Sequence, residues 1–231
     1  MKWAKSELNV LKAQMAAFDK DVSAMRDMWK SGRYDDLLER SKELASLGEP
    51  HAMGYLARLY RDGKDVEADL EASEQWMRKS ASGGVGWAQN ELLDMLWKAK
   101  SYDEAFTLSK EYYEDGNKAA GARLGRCYRS GKGVEKDLSK AEECLRVAMD
   151  DGVAWARSEL VEVLWSTGRY EEMVPLALEA SKKDDPKACG YLGMAYRDGK
   201  GVPADRKRAE ELLGKAASKN KSWSREIPKG D

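Results

Sequence analysis

The sequence predicts an all-α protein, a right-handed α-solenoid of stacked helical hairpins. Three observations carry that expectation. Tyr60-Arg61-Asp62-Gly63-Lys64 returns as Tyr128-Arg129-Ser130-Gly131-Lys132 and again as Tyr196-Arg197-Asp198-Gly199-Lys200, and the three copies are evenly spaced. A fixed internal period marks a repeat architecture. Val, Ile and Thr total 11, 1 and 2 in 231 residues, so few positions suit a strand. Ala, Leu, Glu, Lys and Arg dominate instead, and these are strong helix formers.

The elements follow in chain order. Residues 1–27 read as an N-terminal helical cap, in which the Trp3-Ala4-Lys5-Ser6-Glu7-Leu8 segment echoes later ones without keeping the period. Three gapless blocks of equal length follow, residues 28–95, 96–163 and 164–231, each a double hairpin, read together as one continuous solenoid domain. In each block a helix closes on Trp29, Trp97 or Trp165, and Tyr34, Tyr102 or Tyr170 opens the return helix. After a polar turn, a helix carries Ala52, Leu56 and Tyr60, then Ala120, Leu124 and Tyr128, then Ala188, Leu192 and Tyr196. That four-residue spacing defines one helix face. Gly125 and Gly193 inside this helix point to close approach by a neighbouring backbone, since a helical glycine costs about 0.5–1 kcal/mol relative to alanine. Asp69, Asp137 and Asp205 are placed to N-cap the next helix. A last helix opens at Trp87, Trp155 or Trp223, and Pro228 should stop the third copy.

The Gly131-Lys132-Gly133 stretch raises the question of a phosphate loop. A Walker-type loop needs a preceding strand, four residues between its glycines and Ser or Thr after the lysine. Here Gly133 and Val134 follow Lys132, and the residues before Tyr128 read as helix. Its Gly-Lys pair also recurs in every block, at residues 63–64, 131–132 and 199–200, so it reads as an interhelical turn.

Composition narrows function. The 40 Lys and Arg nearly balance 41 Asp and Glu, which leaves no basic excess for a dedicated nucleic-acid binder. No apolar run is long enough to cross a membrane. Neither a signal-peptide core at the N-terminus nor a CxxC among Cys127, Cys144 and Cys189 is found, so the chain is expected in the cytoplasm with free, buried thiols. His51 is the only histidine and reads as a solvent-facing residue in a first helical turn. No second metal-ligand type is spaced to help it, so no metal, cofactor or catalytic residue is assigned. Glu91 and Glu159 read as solvated helix faces.

Block two keeps Ala120, Leu124-Gly125, Tyr128, Gly131, Gly133-Val134, Asp137 and Lys140-Ala141; block three keeps Ala188, Leu192-Gly193, Tyr196, Gly199, Gly201-Val202, Asp205 and Arg208-Ala209. This pattern resembles the Sel1-like repeat, a relative of the tetratricopeptide repeat. Block one is a weaker copy, with Ala57, Asp65 and Ser73 at the departures. The resemblance covers about residues 28 to 222. It implies a bacterial, non-enzymatic protein-interaction module that holds a partner protein or peptide on a concave surface, as adaptor or scaffold. An immunity or inhibitor protein that neutralises one toxin or enzyme is the alternative. A cell-wall or β-lactam hydrolase, suggested by cysteine-rich relatives, is a second one.

Candidate binding residues stand off the Ala-Leu-Tyr line and differ between blocks: Tyr55 and Arg58, Arg123 and Arg126, Tyr191 and Met194. Tyr and Arg are common interface anchors, and arginine's planar fork suits an acidic segment of the partner. Trp87 and Trp155 join them as partly exposed candidates. Tyr112 and Tyr113, found only in block two, are weaker ones.

Overall fold

In the computed structural model, residues 18–227 are described; they form helices joined by short turns, with no strand among them. They divide into two compact units between Ala99 and Lys100. The first contains α1 (residues 18–31), α2 (Tyr34–Ser46), α3 (Pro50–Asp62), α4 (Leu70–Ser82) and α5 (Gly86–Lys98). The second contains α6 (Tyr102–Glu114), α7 (Lys118–Ser130), α8 (Leu138–Asp150) and α9 (Ala154–Ser166). It continues through α10 (Tyr170–Ser181), α11 (Pro186–Asp198), α12 (Arg206–Lys219) and a 3₁₀ turn, Lys221–Glu226.

The sequence period survives as geometry: α3, α7 and α11 start at residues 50, 118 and 186, and α2, α6 and α10 at 34, 102 and 170. Consecutive helices pack on one another within each unit as stacked hairpins. The expected N-caps are present. Asp69 accepts from the Ala72 amide at 2.9 Å, Asp137 from Ser139 and Lys140 at 3.0 Å, and Asp205 from Arg208 at 3.0 Å. A second capping column stands at Glu49, Asn117 and Asp185, which cap α3, α7 and α11. Each such cap is worth about 1 kcal/mol.

The core of the first unit gathers Met25, Leu37, Leu44, Leu56 and Leu59. That of the second gathers Leu145, Leu160, Leu164, Met173 and Leu192. The interior glycines do what their placement implied: a Cβ on Gly125 would stand 3.1 Å from the Ala141 carbonyl oxygen, and one on Gly193 would stand 3.2 Å from the Leu213 nitrogen. Cys127 and Cys189 are buried free thiols, and Cys144 is a half-buried one. Burial pushes the Cys127 and Cys144 thiols up to about 11, so they are poor nucleophiles near neutrality. The third Trp helix differs from expectation. Where α5 and α9 run 13 residues, Trp223 sits in a six-residue 3₁₀ turn with no buried residue. Trp3 and Pro228 lie outside the described residues.

Candidate interaction site

The Gly-Lys turns are helix ends and not phosphate loops. Gly63, Gly131 and Gly199 end α3, α7 and α11 in the left-handed conformation, at φ 61°, 66° and 67°. Their amides and those of the following lysines are already used. Gly131 and Lys132 both donate to the Cys127 carbonyl, at 2.9 and 3.3 Å. This closes the helix on its left-handed glycine, and it leaves no nest of N–H groups for phosphate. The lysines face aromatic rings. Lys64 Nζ lies 4.3 Å from the centroids of both Trp29 and Tyr34 and donates to the Tyr34 hydroxyl at 3.0 Å. Lys132 meets Tyr102 in the same way, at 4.4 Å from the ring and 3.1 Å from the hydroxyl. Lys200 lies 4.8 Å over Trp165 and 5.3 Å from Tyr170. The recurrent lysine clamps one hairpin to the next.

In the first unit, Trp29, Tyr55 and Trp87 form an aromatic ladder, with centroids 6.2 and 5.6 Å apart. The Arg58 guanidinium lies 4.0 Å from the Trp87 ring and bonds to Glu91. Arg61 reaches the same carboxylate at 3.0 Å. Two expectations are corrected here. Tyr55 is 5% exposed, a core residue locked between tryptophans. The Arg58 fork, expected to await an acidic partner, is engaged by Glu91.

In the second unit, α7, α9 and α11 bring their candidates together. Arg123 stands 5.4 Å over the half-buried Trp155 ring. Arg129 bonds to Glu159 at 2.9 Å and to Glu162, while Lys187 bonds to Glu159 at 2.6 Å and Glu162 at 2.8 Å. Glu159 is 6% exposed, which corrects its reading as a solvated acid. Burial alone would raise its carboxyl pKa, but the Lys187 and Arg129 charges hold it below the ordinary value, and the Arg126 charge adds to them. Tyr191 is half-buried, and its hydroxyl pKa is raised by burial and by the Glu162 charge. Its ring packs between Trp165 at 5.6 Å and Trp223 at 5.2 Å. Met194, expected on the binding stripe, is 8% exposed and lies inside the packing. Of the weaker candidates, Tyr112 is buried, and the Tyr113 ring fills the space beside Gly121.

A charge column, Arg61–Glu91 and Arg129–Glu159, was not expected from the residues, and Arg197–Glu226 is an off-register third pair. The signal was present: the arginine follows the recurrent tyrosine, and Glu91 and Glu159 stand at the same distance beyond it in their two blocks. His51 is half-exposed, with Nδ1 2.9 Å from the Glu49 carboxylate, as a first-turn residue should be. Among the described residues no three His, Cys, Asp or Glu side chains are grouped to hold a metal ion. None of the described helices is long and apolar enough to cross a membrane.

Paired helices repeated in phase, with a left-handed glycine closing the same helix of every block, define a helical-hairpin solenoid of the tetratricopeptide kind. Residues 50–85, 119–153 and 186–221 match the Sel1 repeat, and the chain is a Sel1-repeat protein. It is similar to a Sel1-repeat protein of Oxalobacter formigenes, at TM-score 0.76 and 22% identity, over 87% of this chain and 83% of that one. It also resembles a protective antigen of uropathogenic Escherichia coli with an SLR fold, at TM-score 0.69 and 25% identity, over 78% and 40% of the two chains. A curated relative, an uncharacterised protein of Neisseria meningitidis serogroup B, is 27% identical over 188 residues. That match covers 81% of this chain, and the chain spans about a third of the relative's length.

Proposed function

We propose that this chain is a non-catalytic adaptor that docks a partner protein or peptide on the face shared by α7, α9 and α11. Sel1-repeat proteins generally mediate protein–protein interaction. The observation that carries it is the Arg123 guanidinium set over the half-buried Trp155 ring. Arg and Trp are the residue types most enriched among interface hot spots, and here they meet outside the main core. The half-buried Tyr191 and the rim pair Lys187–Glu162 lie on the neighbouring helices. The partner's contribution is an acidic segment lying along Arg123, with an apolar side chain against the indole.

The test is affinity capture with the full chain, then calorimetric titration of the captured partner against variants. Arg123→Ala and Trp155→Ala should each cost about 2 kcal/mol of binding, roughly thirtyfold in Kd. Lys207→Ala, on the exposed face of α12, should change nothing. Undiminished binding by both site variants would remove this face from consideration.

A further inference from the structure

The described residues contain a recurrent seat for a tryptophan. Trp87 of α5 lies on Gly54 of α3 and against Tyr55. Trp223 of the C-terminal 3₁₀ turn lies on Gly190 of α11, where an added Cβ would stand 2.5 Å from the indole, and against Tyr191. At both seats the glycine is what admits the ring. At α5 and α9 the tryptophan helix also delivers a glutamate to an arginine, Glu91 to Arg61 and Glu159 to Arg129.

The Gly190 seat is filled by a poor copy of that helix. Its occupant runs six residues and buries none of them. Arg197 is met by Glu226, one position short of the glutamate column, where Ile227 stands. A better match exists in the same chain: Trp3-Ala4-Lys5-Ser6-Glu7-Leu8 differs from Trp155-Ala156-Arg157-Ser158-Glu159-Leu160 only by Lys for Arg. This segment lies outside the described residues.

We propose that the chain self-associates head to tail, with Trp3–Leu8 of one copy displacing the Trp223 turn of another from the Gly190–Tyr191 seat. Trp3 fills the glycine seat, and Glu7 restores the in-register pair with Arg197. Exchange of like elements between copies is a low-cost route to assembly, and a head-to-tail contact need not close on itself. The resident turn must leave first, and this lowers the apparent affinity by the fraction of seats that are open. Weakening the resident should therefore tighten the assembly. This contact shares Tyr191 with the α7–α9–α11 face, but it uses Gly190 and Arg197 in place of Arg123 and Trp155, and its test does not need that partner.

Sedimentation equilibrium of the full chain across a wide concentration range gives the first readout. Concentration-dependent growth is expected, with Trp3→Ala weakening it about tenfold or more, as loss of a buried aromatic anchor does. Trp223→Ala should strengthen it severalfold, and so should Glu226→Ala, which leaves the core untouched if the tryptophan variant folds poorly. A labelled peptide of residues 1–17 should bind the Glu226→Ala chain more tightly than the parent by fluorescence anisotropy, and substitution of Glu7 by Lys should abolish that gain. A monomer at every concentration in the parent and both seat variants overturns the proposal. Association indifferent to Trp3→Ala assigns the wrong segment, and association weakened by Glu226→Ala makes the turn part of the contact, not its competitor.

Discussion

The α3–α4 hairpin and the α11–α12 hairpin are the same repeat built with different materials. In the later copy Gly193 lets the α12 backbone approach, Leu213 fills the contact, and Ala209 and Ala216 line it. In the earlier copy Ala57 takes the glycine's place, and Met77, Ser73 and Ser80 stand on α4 at the positions of Leu213, Ala209 and Ala216. The four residues of the earlier copy are buried, and neither serine hydroxyl has a hydrogen-bond partner among the described residues. The extra methyl at Ala57 goes with an unbranched Met77 where the other blocks have Leu145 and Leu213, and methionine adapts to irregular space where leucine does not. The turn differs too. Gly201 takes φ 71°, and the turn of the first block holds Asp65 at φ 53°, in a region that disfavours side chains. The lesson is that the fold tolerates departures from its pattern when the facing residue is soft, and that it keeps the costs of those that have no such compensation.

The largest test of the comparison is electrostatic. Glu159→Ala removes the more buried of the two carboxylates that Arg129 and Lys187 share and leaves them only Glu162; it should cost about 3 kcal/mol, read from urea melts. Glu91→Ala, at the more exposed equivalent (side chain 24% exposed), should cost about 1–2 kcal/mol. The pH dependence has a definite sign. The Glu159 pKa is lowered in the folded state, so its contribution is present above the ordinary carboxylate value and is lost as pH falls through the folded one. The parent should therefore lose stability on acidification more steeply than Glu159→Ala does.

The turn gives the next effect. A Cβ at residue 201 would stand 2.7 Å from the Tyr170 carbonyl. Gly201→Ala should cost about 2–3 kcal/mol, the left-handed penalty of about 1–2 plus displacement of that stretch of backbone. Asp65→Gly should stay within about 1 kcal/mol of zero, because relief of strain is offset by a freer unfolded chain. Equal costs for adding a side chain at 201 and removing one at 65 would erase the distinction between the copies. Smaller again, Ser73→Ala and Ser80→Ala should each stabilise the first hairpin by about 1–2 kcal/mol by removing an unpaired buried hydroxyl, while Ala209→Ser should destabilise the last by a similar amount. The smallest effect is Lys200→Met, about 0.5–1 kcal/mol for the cation over Trp165 and Tyr170. Lys64→Met should match it, because the clamp is common to both copies.

What was legible in the sequence was whatever is local or repeated. The period, the Asp69, Asp137 and Asp205 caps, the glycine turns and the close approach at Gly125 and Gly193 all follow from residue type at fixed spacing. What escaped depends on contacts between helices. Glu91 and Glu159 looked like two more among 41 acidic groups, and only packing pairs them with Arg61 and Arg129, two helices earlier. Tyr55 and Met194 were placed on an open face by counting along one helix. The tryptophans that cover Tyr55 come from α1 and α5, and a helical wheel of α3 alone does not contain them. The lysine of the Gly-Lys turn advertised a charge, but the rings that hold it in the first block, Trp29 and Tyr34, belong to the preceding hairpin.

The strict phase of the helices has a consequence for heredity. Because α3, α7 and α11 open at equal intervals with no insertion between them, the coding region is a tandem ruler. An unequal crossover that removes one block's codons, from any point in one block to its counterpart in the next, leaves each cap, turn glycine and lysine clamp at its own column. Such events change the number of copies without opening a seam in the protein. A slip of any other length leaves one helix out of step with its neighbours. Lengths among descendants of this gene should therefore cluster at steps of one block.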